Sequence, residues 1–317
     1  MNTVGAKLDL DWDAEEIASL IRNALAEDLV EGAGLSAVDH TAHSIVAAHS
    51  TASAKIVAKQ NLVLAGLPLA ARVFRQLDAS IRVENCFEEG AEVSVGSAVA
   101  RVHGLARAIL TGERTALNFL ARLSGIATLT RQFVDAIAGT RARIRDTRKT
   151  TPLLRAIEKY AVRVGGGVNH RFGLYDAMLI KENHVALAGS VTKAIRRAHE
   201  HQLVHRETTA YESFRPAAAR IILLIQIEVR SEAELREALA AGADSVLLDN
   251  LLPTQAAALV ALARRERPEC LLEISGGVQL SNVRAFAESG ADFIAIGALT
   301  HSAPAADFSL LVESPPL

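Results

Sequence analysis

The chain has 317 residues, of which 50% are hydrophobic and 22% charged, enough apolar material for a sizeable core and too much for a disordered chain. Lys and Arg number 34 against 36 Asp and Glu, so the formal charge is −2, which argues against a globally basic nucleic-acid binder. Cys86 and Cys270 lie too far apart in sequence for a disulfide framework or a four-thiolate zinc site, and two such cysteines suit a reducing cytoplasm. The opening MNTVGAKLDLDWDAEE carries acid where a signal peptide has a basic start, and no apolar run approaches the ~20 residues that span a bilayer. The expectation is a soluble intracellular protein that binds neither membrane nor nucleic acid.

The first element reads as a helix: Asp13 and Glu16 fit a capping box, and Ile17, Leu20, Ile21, Ala24 and Leu25 repeat on one helical face. Segments rich in β-branched residues follow at Ser44–Ala48, Ala54–Ala58, Ile81–Asn85 and Glu92–Val102, with Gly90 and Gly96 as punctuation. A second helix fits Leu67–Leu77, and a long one Ala106–Ala138. Up to about residue 104 the mixture reads as a small α+β unit.

From about residue 140 short apolar runs alternate with helical stretches: Arg143–Arg148, Ala177–Ile180, Ile221–Val229, Ser245–Leu248, Leu271–Ile274 and Phe293–Ile296. Helices between them read clearly at Val191–His199 and Ser231–Ala241. The alternation is the βαβ signature of a parallel sheet. Polar residues or glycines close every run: Arg148 and Lys149; Lys181, Glu182 and Asn183; Glu228; Asp249 and Asn250; Ser275, Gly276 and Gly277; Gly297. A barrel gathers the C-terminal ends of its strands on one face, where its chemistry sits. An α/β barrel with a site at that face is therefore expected. Pro304–Ala306 and Pro315–Leu317 suggest a tail rather than a further domain.

Residues 141–171 hold nine Lys and Arg against Asp146 and Glu158, a concentration that asks for an anionic ligand. Arg155, Lys159 and Arg163 read as a solvated helix face. Arg148 and Lys149, at a strand end between Thr147 and Thr150, read as carboxylate or phosphate capture. Gly165-Gly166-Gly167 reads as a flexible loop closing on His170-Arg171, its glycines admitting a ligand close to the backbone. Lys181 suits either a Schiff-base nucleophile or an anion ligand. Glu228 and Asp249 end neighbouring strands, and oxygen-only ligands point to Mg²⁺ bridging phosphates. Ser275-Gly276-Gly277, with Ser281-Asn282 opening a helix, and Gly297 form a phosphate cup. His199, His201 and His205 face different ways on a helix and are not expected to bind metal. His184 suits a structural histidine, and Trp12 and Tyr211 read as packing or surface residues.

The ordered motifs resemble quinolinate phosphoribosyltransferase. They are Arg114-Thr115-Ala116-Leu117-Asn118, Leu123–Thr128, Asp146–Pro152, Glu158–Ala161, Asn169-His170-Arg171, Gly173–Asp176, Leu179–His184, Leu247–Asn250, Ser275-Gly276-Gly277 and Ile296–Ser302. The resemblance implies an N-terminal α/β sandwich domain, residues 1–120, with the tail 299–317 packing back on it. It implies an open, incomplete α/β barrel over 121–298 and a homodimer, or higher oligomer, with shared active sites. The implied reaction joins quinolinate to phosphoribosyl pyrophosphate with Mg²⁺, giving nicotinate mononucleotide, pyrophosphate and carbon dioxide. Carried over, the quinolinate ligands are Arg148, His170, Arg171 and Lys181, with Arg114 from the partner subunit. The phosphoribosyl pyrophosphate side is Lys149, Glu228, Asp249, Ser275, Gly276, Gly277, Gly297 and His301. Glu228, Lys181 and Asp249 are the implied catalytic groups, with Glu228 and Asp249 facing the metal through water.

The chain departs from that pattern at Val30–Leu35, in a long His199–Ile221 connection, and at Gln226 and Arg230, where the family often carries acids. Two other classes compete. A barrel aldolase using Lys181 leaves Arg148, His170 and Arg171 without a task. A non-catalytic relative, such as the molybdenum-linked homologues, does not need Arg114, Lys181, Glu228 and Asp249 intact.

Overall fold

The structure is a computed structural model that describes residues 10–29, 38–204 and 224–313. The Val30–Leu35 departure, His205, Tyr211, Pro315–Leu317 and nearly all of the connection beyond Val204 lie outside the described residues. The chain divides into two compact units: Leu10–Leu129, Ala156–Gly165 and the residues from Ala303 form one, and Thr130–Arg155 with Gly166–Ser302 the other. No described helix is long and apolar enough to cross a membrane.

The first unit begins with helix α1 (Glu15–Leu29), whose Ile17, Ile21 and Leu25 form a buried stripe at helical spacing. Its start is not the expected capping box: the helix opens at Glu15, and the Asp13 carboxylate instead pairs with Arg72. Helix α2 (His40–Ile45) replaces the strand expected at Ser44–Ala48. Asp39 decides the matter. Its carboxylate accepts the Ala42 N–H at 2.9 Å as an N-cap, and that bond holds its pKa below the usual carboxylate value. Ile45 meanwhile stays exposed, so no buried face rewards an extended chain here.

Strand β1 (Thr51–Ala58), the short β2 (Leu62–Val63), helix α3 (Leu67–Leu77), β3 (Arg82–Asn85), β4 (Glu92–Val93) and β5 (Ala98–Leu105) follow, then the long helix α4 (Ala106–Ala136). Gly96, at φ 86°, turns the chain between β4 and β5 and splits the single segment expected at Glu92–Val102. The C-terminal strand β12 (Phe308–Glu313) joins the outer side of β1, giving an antiparallel sheet in the order β12-β1-β5-β3. Ile56 faces Leu310 and Ala54 faces Val102 across it, and these side chains are buried or nearly so.

Helix α5 (Arg155–Val164) corrects a second expectation. Lys159 is only 1% exposed and Glu158 is fully buried, so its cationic face is not solvated. Glu158 accepts from Arg122 at 2.8 Å. A neighbouring carboxylate, Glu89, accepts the Gly66 and Leu67 N–H groups at the start of α3 and the Tyr160 hydroxyl at 2.7 Å. Burial is the first cause of its raised pKa. The sign then follows: a raised folded-state pKa favours the fold below the ordinary Glu value and loses that advantage as pH climbs through the raised one. Glu89→Gln keeps an acceptor for α3 and never ionises. Its urea midpoint relative to wild type should therefore rise steadily from acid to neutral pH, and a constant difference would refute the burden placed on Glu89.

The second unit is built on β6 (Arg143–Arg145), β7 (Met178–Ile180), β8 (Ile225–Val229), β9 (Ser245–Asp249), β10 (Leu271–Ser275) and β11 (Phe293–Ala295). They pair in parallel in the order β6-β11-β10-β9-β8-β7. Helices α6 (Glu182–Ala188), α7 (Val191–Val204), α8 (Glu232–Ala240), α9 (Pro253–Glu266), α10 (Val283–Ala287) and α11 (Ala298–His301) follow the strands. Both faces of the strands are covered, which is why Ile225, Ile227, Val229, Val246, Leu248, Leu272, Ile274 and Ile294 are buried in near-continuous apolar runs.

The sheet curls. In a flat sheet β6 and β8 would stand about 19 Å apart, four strand spacings. Instead His170, two residues past the Val168 bridge to β6, reaches Gln226 on β8 at 2.9 Å. With β6 and β7 left as edges, the result is an open barrel.

Candidate active site

Asp146, fully buried just past β6, organises one end of the barrel mouth. Its carboxylate accepts Asn169 Nδ2 at 2.5 Å and the His170 N–H at 2.7 Å, fixing the Asn169-His170-Arg171 segment. The segment of glycines before it is tied at both ends. The Gly165 N–H closes the end of α5 on Ala161, and Val168 bridges Arg145 while its N–H donates to Ile144. They turn the chain from a helix into an added rung beside β6.

The Arg171 N–H donates to His170 Nδ1 at 2.7 Å, which places the imidazole proton on Nε2. Nε2 lies 2.9 Å from Gln226 Oε1 and 3.5 Å from Glu273 Oε1. The Gln226 amide donates to Glu273 Oε2 at 3.0 Å and Ser245 Oγ at 3.2 Å. Arg145 Nη1 donates to the same Glu273 oxygen at 2.6 Å, and its guanidinium stacks 3.6 Å over the Phe293 ring. Glu273 is 0% exposed, so this layer is a buried polar floor with its charge paired. A ligand reaching His170 meets a ring whose two nitrogens are already engaged by the chain.

Above that floor stand Arg148 and Arg171. Both are half-buried, and the Nε of each is shielded from water with no hydrogen-bond partner among the described residues. Arg171 spends one Nη on the Ala177 carbonyl at 2.9 Å. Its pKa is lowered first by burial and next by the positive charge of Arg148. Two guanidinium groups brought together with shielded donors unspent form a receptor for an anion.

Lys181 leaves β7 exposed, and its N–H donates to His184 Nδ1 at 2.9 Å, which gives His184 the structural task expected of it. Its charge is felt at Glu228. Glu228 and Asp249 converge as expected. Burial raises the Glu228 pKa, Asp249 raises it further, and Arg230 and Lys181 pull it back. Arg230 Nη2 lies 3.0 Å from Glu228 and 3.4 Å from Asp249.

Two glycines shape the remaining wall. Gly276, at φ 93°, passes so close to Asn250 that a Cβ would stand 2.2 Å from its Oδ1 and 2.8 Å from its backbone nitrogen. A Cβ on Gly297 would meet Lys149 Cδ at 2.9 Å and His301 Nε2 at 3.2 Å, so these three residues share one corner. Thr300 Oγ1 ties that corner together by donating to the Lys149 carbonyl at 2.8 Å. Asn282 is spent on the loop, donating to the Gly277 carbonyl and accepting the Gln279 N–H. Ser275 pairs in register with Asp249.

Arg114 is exposed on α4 in the other unit. Trp12 packs edge-on against Tyr160 at 4.9 Å, and His199 reaches the Gly242 carbonyl at 3.2 Å. Four residues here were given no individual role by the sequence reading: Glu273, Arg145, Asp146 and Glu182. A single acid inside Leu271–Ile274 was the available signal for Glu273.

Glu228 and Asp249 supply only oxygen, and no described cluster holds three or more His, Cys, Asp or Glu suited to a metal. Two carboxylates supplying oxygen alone are a donor set that suits Mg²⁺.

Residues 39–124 match the N-terminal domain of quinolinate phosphoribosyl transferase, and residues 126–220 and 201–311 match its C-terminal domain. The nicotinate-nucleotide pyrophosphorylase [carboxylating] of Mycobacterium leprae is 42% identical over 306 residues, 95% of this chain and 98% of that one. A probable enzyme of the same name from Synechocystis is 42% identical over 259 residues, 82% of each chain. The solved nicotinate-nucleotide pyrophosphorylase of Francisella tularensis superposes with a TM-score of 0.81 at 35% identity, covering 98% of this chain and 100% of that chain. With both domains matched in order and relatives this similar along nearly their whole length, the chain belongs to the quinolinate phosphoribosyltransferase family.

Proposed function

We infer that the protein transfers the phosphoribosyl group of phosphoribosyl pyrophosphate to quinolinate, releasing pyrophosphate and carbon dioxide and leaving nicotinate mononucleotide, as a step of de novo NAD synthesis. The observation that carries this reading is the Arg148–Arg171 pair, two shielded and mutually repelling cations above a barrel mouth. A dicarboxylate is the ligand that relieves both. Arg148, His170, Arg171 and Lys181 bind it, His170 also accepting the Arg171 N–H, and Arg114 of the partner subunit completes the set. Lys149, Ser275, Gly276, Gly277, Gly297 and His301 receive the phosphoribosyl pyrophosphate.

The quinolinate nitrogen attacks the ribose C1 as the bond from C1 to the pyrophosphate oxygen breaks. Positive charge develops on C1, and the Glu228 carboxylate offsets it. Bound Mg²⁺, faced through water by Glu228 and Asp249, would neutralise the departing pyrophosphate. The ring nitrogen is then cationic and stabilises the electron pair left on the adjacent ring carbon when its carboxylate leaves as carbon dioxide, and that carbon uses the pair to take up a proton. The chain's main task is to hold two anions in reacting geometry against their repulsion.

The direct test is quinolinate-dependent release of pyrophosphate and carbon dioxide from phosphoribosyl pyrophosphate, with and without Mg²⁺. Release of neither product would overturn the reading. A second test addresses the homodimer and its shared active sites. Mixing Arg114→Ala with Lys181→Ala subunits should restore up to about a quarter of the activity, since random exchange makes half the dimers mixed, each with one intact site. No recovery after confirmed subunit exchange would place Arg114 outside a shared site.

A further inference from the structure

Arg230 stands two residues past Glu228, and its N–H donates to Glu234 Oε2 at 2.7 Å, anchoring its backbone to the first turn of α8. Its guanidinium spans acids from three consecutive strand ends. Nη1 lies 2.5 Å from Glu182 after β7, Nη2 3.0 Å from Glu228 on β8, and Nε and Nη2 each 3.4 Å from Asp249 on β9. The side chain is nonetheless 48% exposed. Exposed ion pairs contribute little to folding, so holding the barrel together does not account for three of them on one head group.

The pair Glu228 and Asp249 carries like charges close enough to raise the Glu228 pKa. Arg230 is the cation resident between them. A bare divalent ion coming to these carboxylates must displace the guanidinium and gives it nothing in return. A cation paired with diphosphate is different, because its oxygens give the planar fork new bidentate acceptors. The long, exposed stem of Arg230 lets the head group swing from one partner set to the other.

We propose that Arg230 is a latch across Glu182, Glu228 and Asp249 that excludes free divalent cations and opens to a cation bound to diphosphate. The proposal rests on the reading of Glu228 and Asp249 as the acids that face the metal of phosphoribosyl pyrophosphate. Its consequence is an order of entry: metal and diphosphate arrive together, and the released guanidinium closes on the diphosphate.

The test uses the full chain and Mn²⁺ as a paramagnetic probe, with bound ion read from the resonance of free Mn²⁺, independently of turnover. Arg230→Met should bind Mn²⁺ alone roughly tenfold more tightly than wild type, the scale of a few exposed ion pairs removed together. Inorganic pyrophosphate should shrink that gap. If wild type and Arg230→Met bind bare Mn²⁺ equally, and adding Asp249→Asn abolishes binding, the latch is wrong while the metal-facing acids stand. If binding in Arg230→Met survives both Glu228→Gln and Asp249→Asn, the reading of those acids fails and the latch with it. Absence of Mn²⁺ binding in every variant, with and without pyrophosphate, overturns both.

Discussion

Arg148→Ala should weaken quinolinate binding by about 2–5 kcal/mol, the range for removing one partner of a desolvated charge pair, and leave phosphoribosyl pyrophosphate binding nearly unchanged. The asymmetry follows from placement. Arg148 shares its surroundings with Arg171, whose pKa its charge depresses, whereas Lys149 beside it turns to the corner of Gly297 and His301. Two effects of the substitution oppose one another. The ligand loses a bidentate fork, but the empty protein loses a repulsion, so the variant's thermal midpoint without ligand should hold or rise while its affinity falls. Arg148→Lys keeps the charge without the fork and should fall between. Calorimetry with each ligand separately decides the assignment, and equal losses for quinolinate and phosphoribosyl pyrophosphate would show that the two strand-end cations do not serve separate ligands.

The parallel strands were legible because strands covered on both faces must be apolar throughout. Ile225–Val229, Ser245–Asp249 and Leu271–Ser275 are largely such runs, and each carries a polar residue, Glu228, Asp249 or Ser275, at or next to its C-terminal end. Helix α3 was legible for a similar reason, a strong apolar face after Gly66 and Pro68. The misread segments are those where a single distant or local partner outweighs the pattern. Asp39 caps a helix where β-branched residues suggested a strand. Lys159 looks like a surface lysine in sequence and is buried. The pairing of Val168 with Arg145 likewise leaves no mark in the glycines at 165–167, since it joins residues distant in sequence.

The site shows the same division. Residues that end strands could be read one by one, because a charge after an apolar run marks the mouth whatever the strand order. The layer below could not be assembled that way. Gln226 and Glu273 meet only because β8 and β10 flank β9 in a curled sheet, and His170 joins them only because Asp146 pins its backbone. Arg230 is the sharper case. Its three carboxylates stand at or just past the ends of β7, β8 and β9, neighbours by sheet order, and one guanidinium can span them for that reason alone.

Glu228→Gln should lower turnover by roughly 10²–10³, about 3–4 kcal/mol, the scale for loss of one preorganised electrostatic group. The substitution keeps the shape of the side chain and removes its charge. Binding of both substrates should change little, because only an interaction stronger in the transition state than in the ground state lowers the barrier. Arg230 and Lys181 are the cations that act on the Glu228 carboxylate, against burial and Asp249, which together leave its pKa raised. In the ligand-free variant Arg230 still has Glu182 and Asp249 to span, so the wall of the site stays in place while the charge facing the ribose carbon is gone. The competing role, a direct ligand of Mg²⁺ or of a ribose hydroxyl in place of an acid facing the metal through water, predicts weaker phosphoribosyl pyrophosphate binding that added Mg²⁺ partly restores. Single-turnover rates at saturating substrates across a magnesium series separate the two. A variant that stays slow at every magnesium concentration keeps Glu228 at the reacting carbon, and one that regains near wild-type turnover at high Mg²⁺ moves it from catalysis to binding.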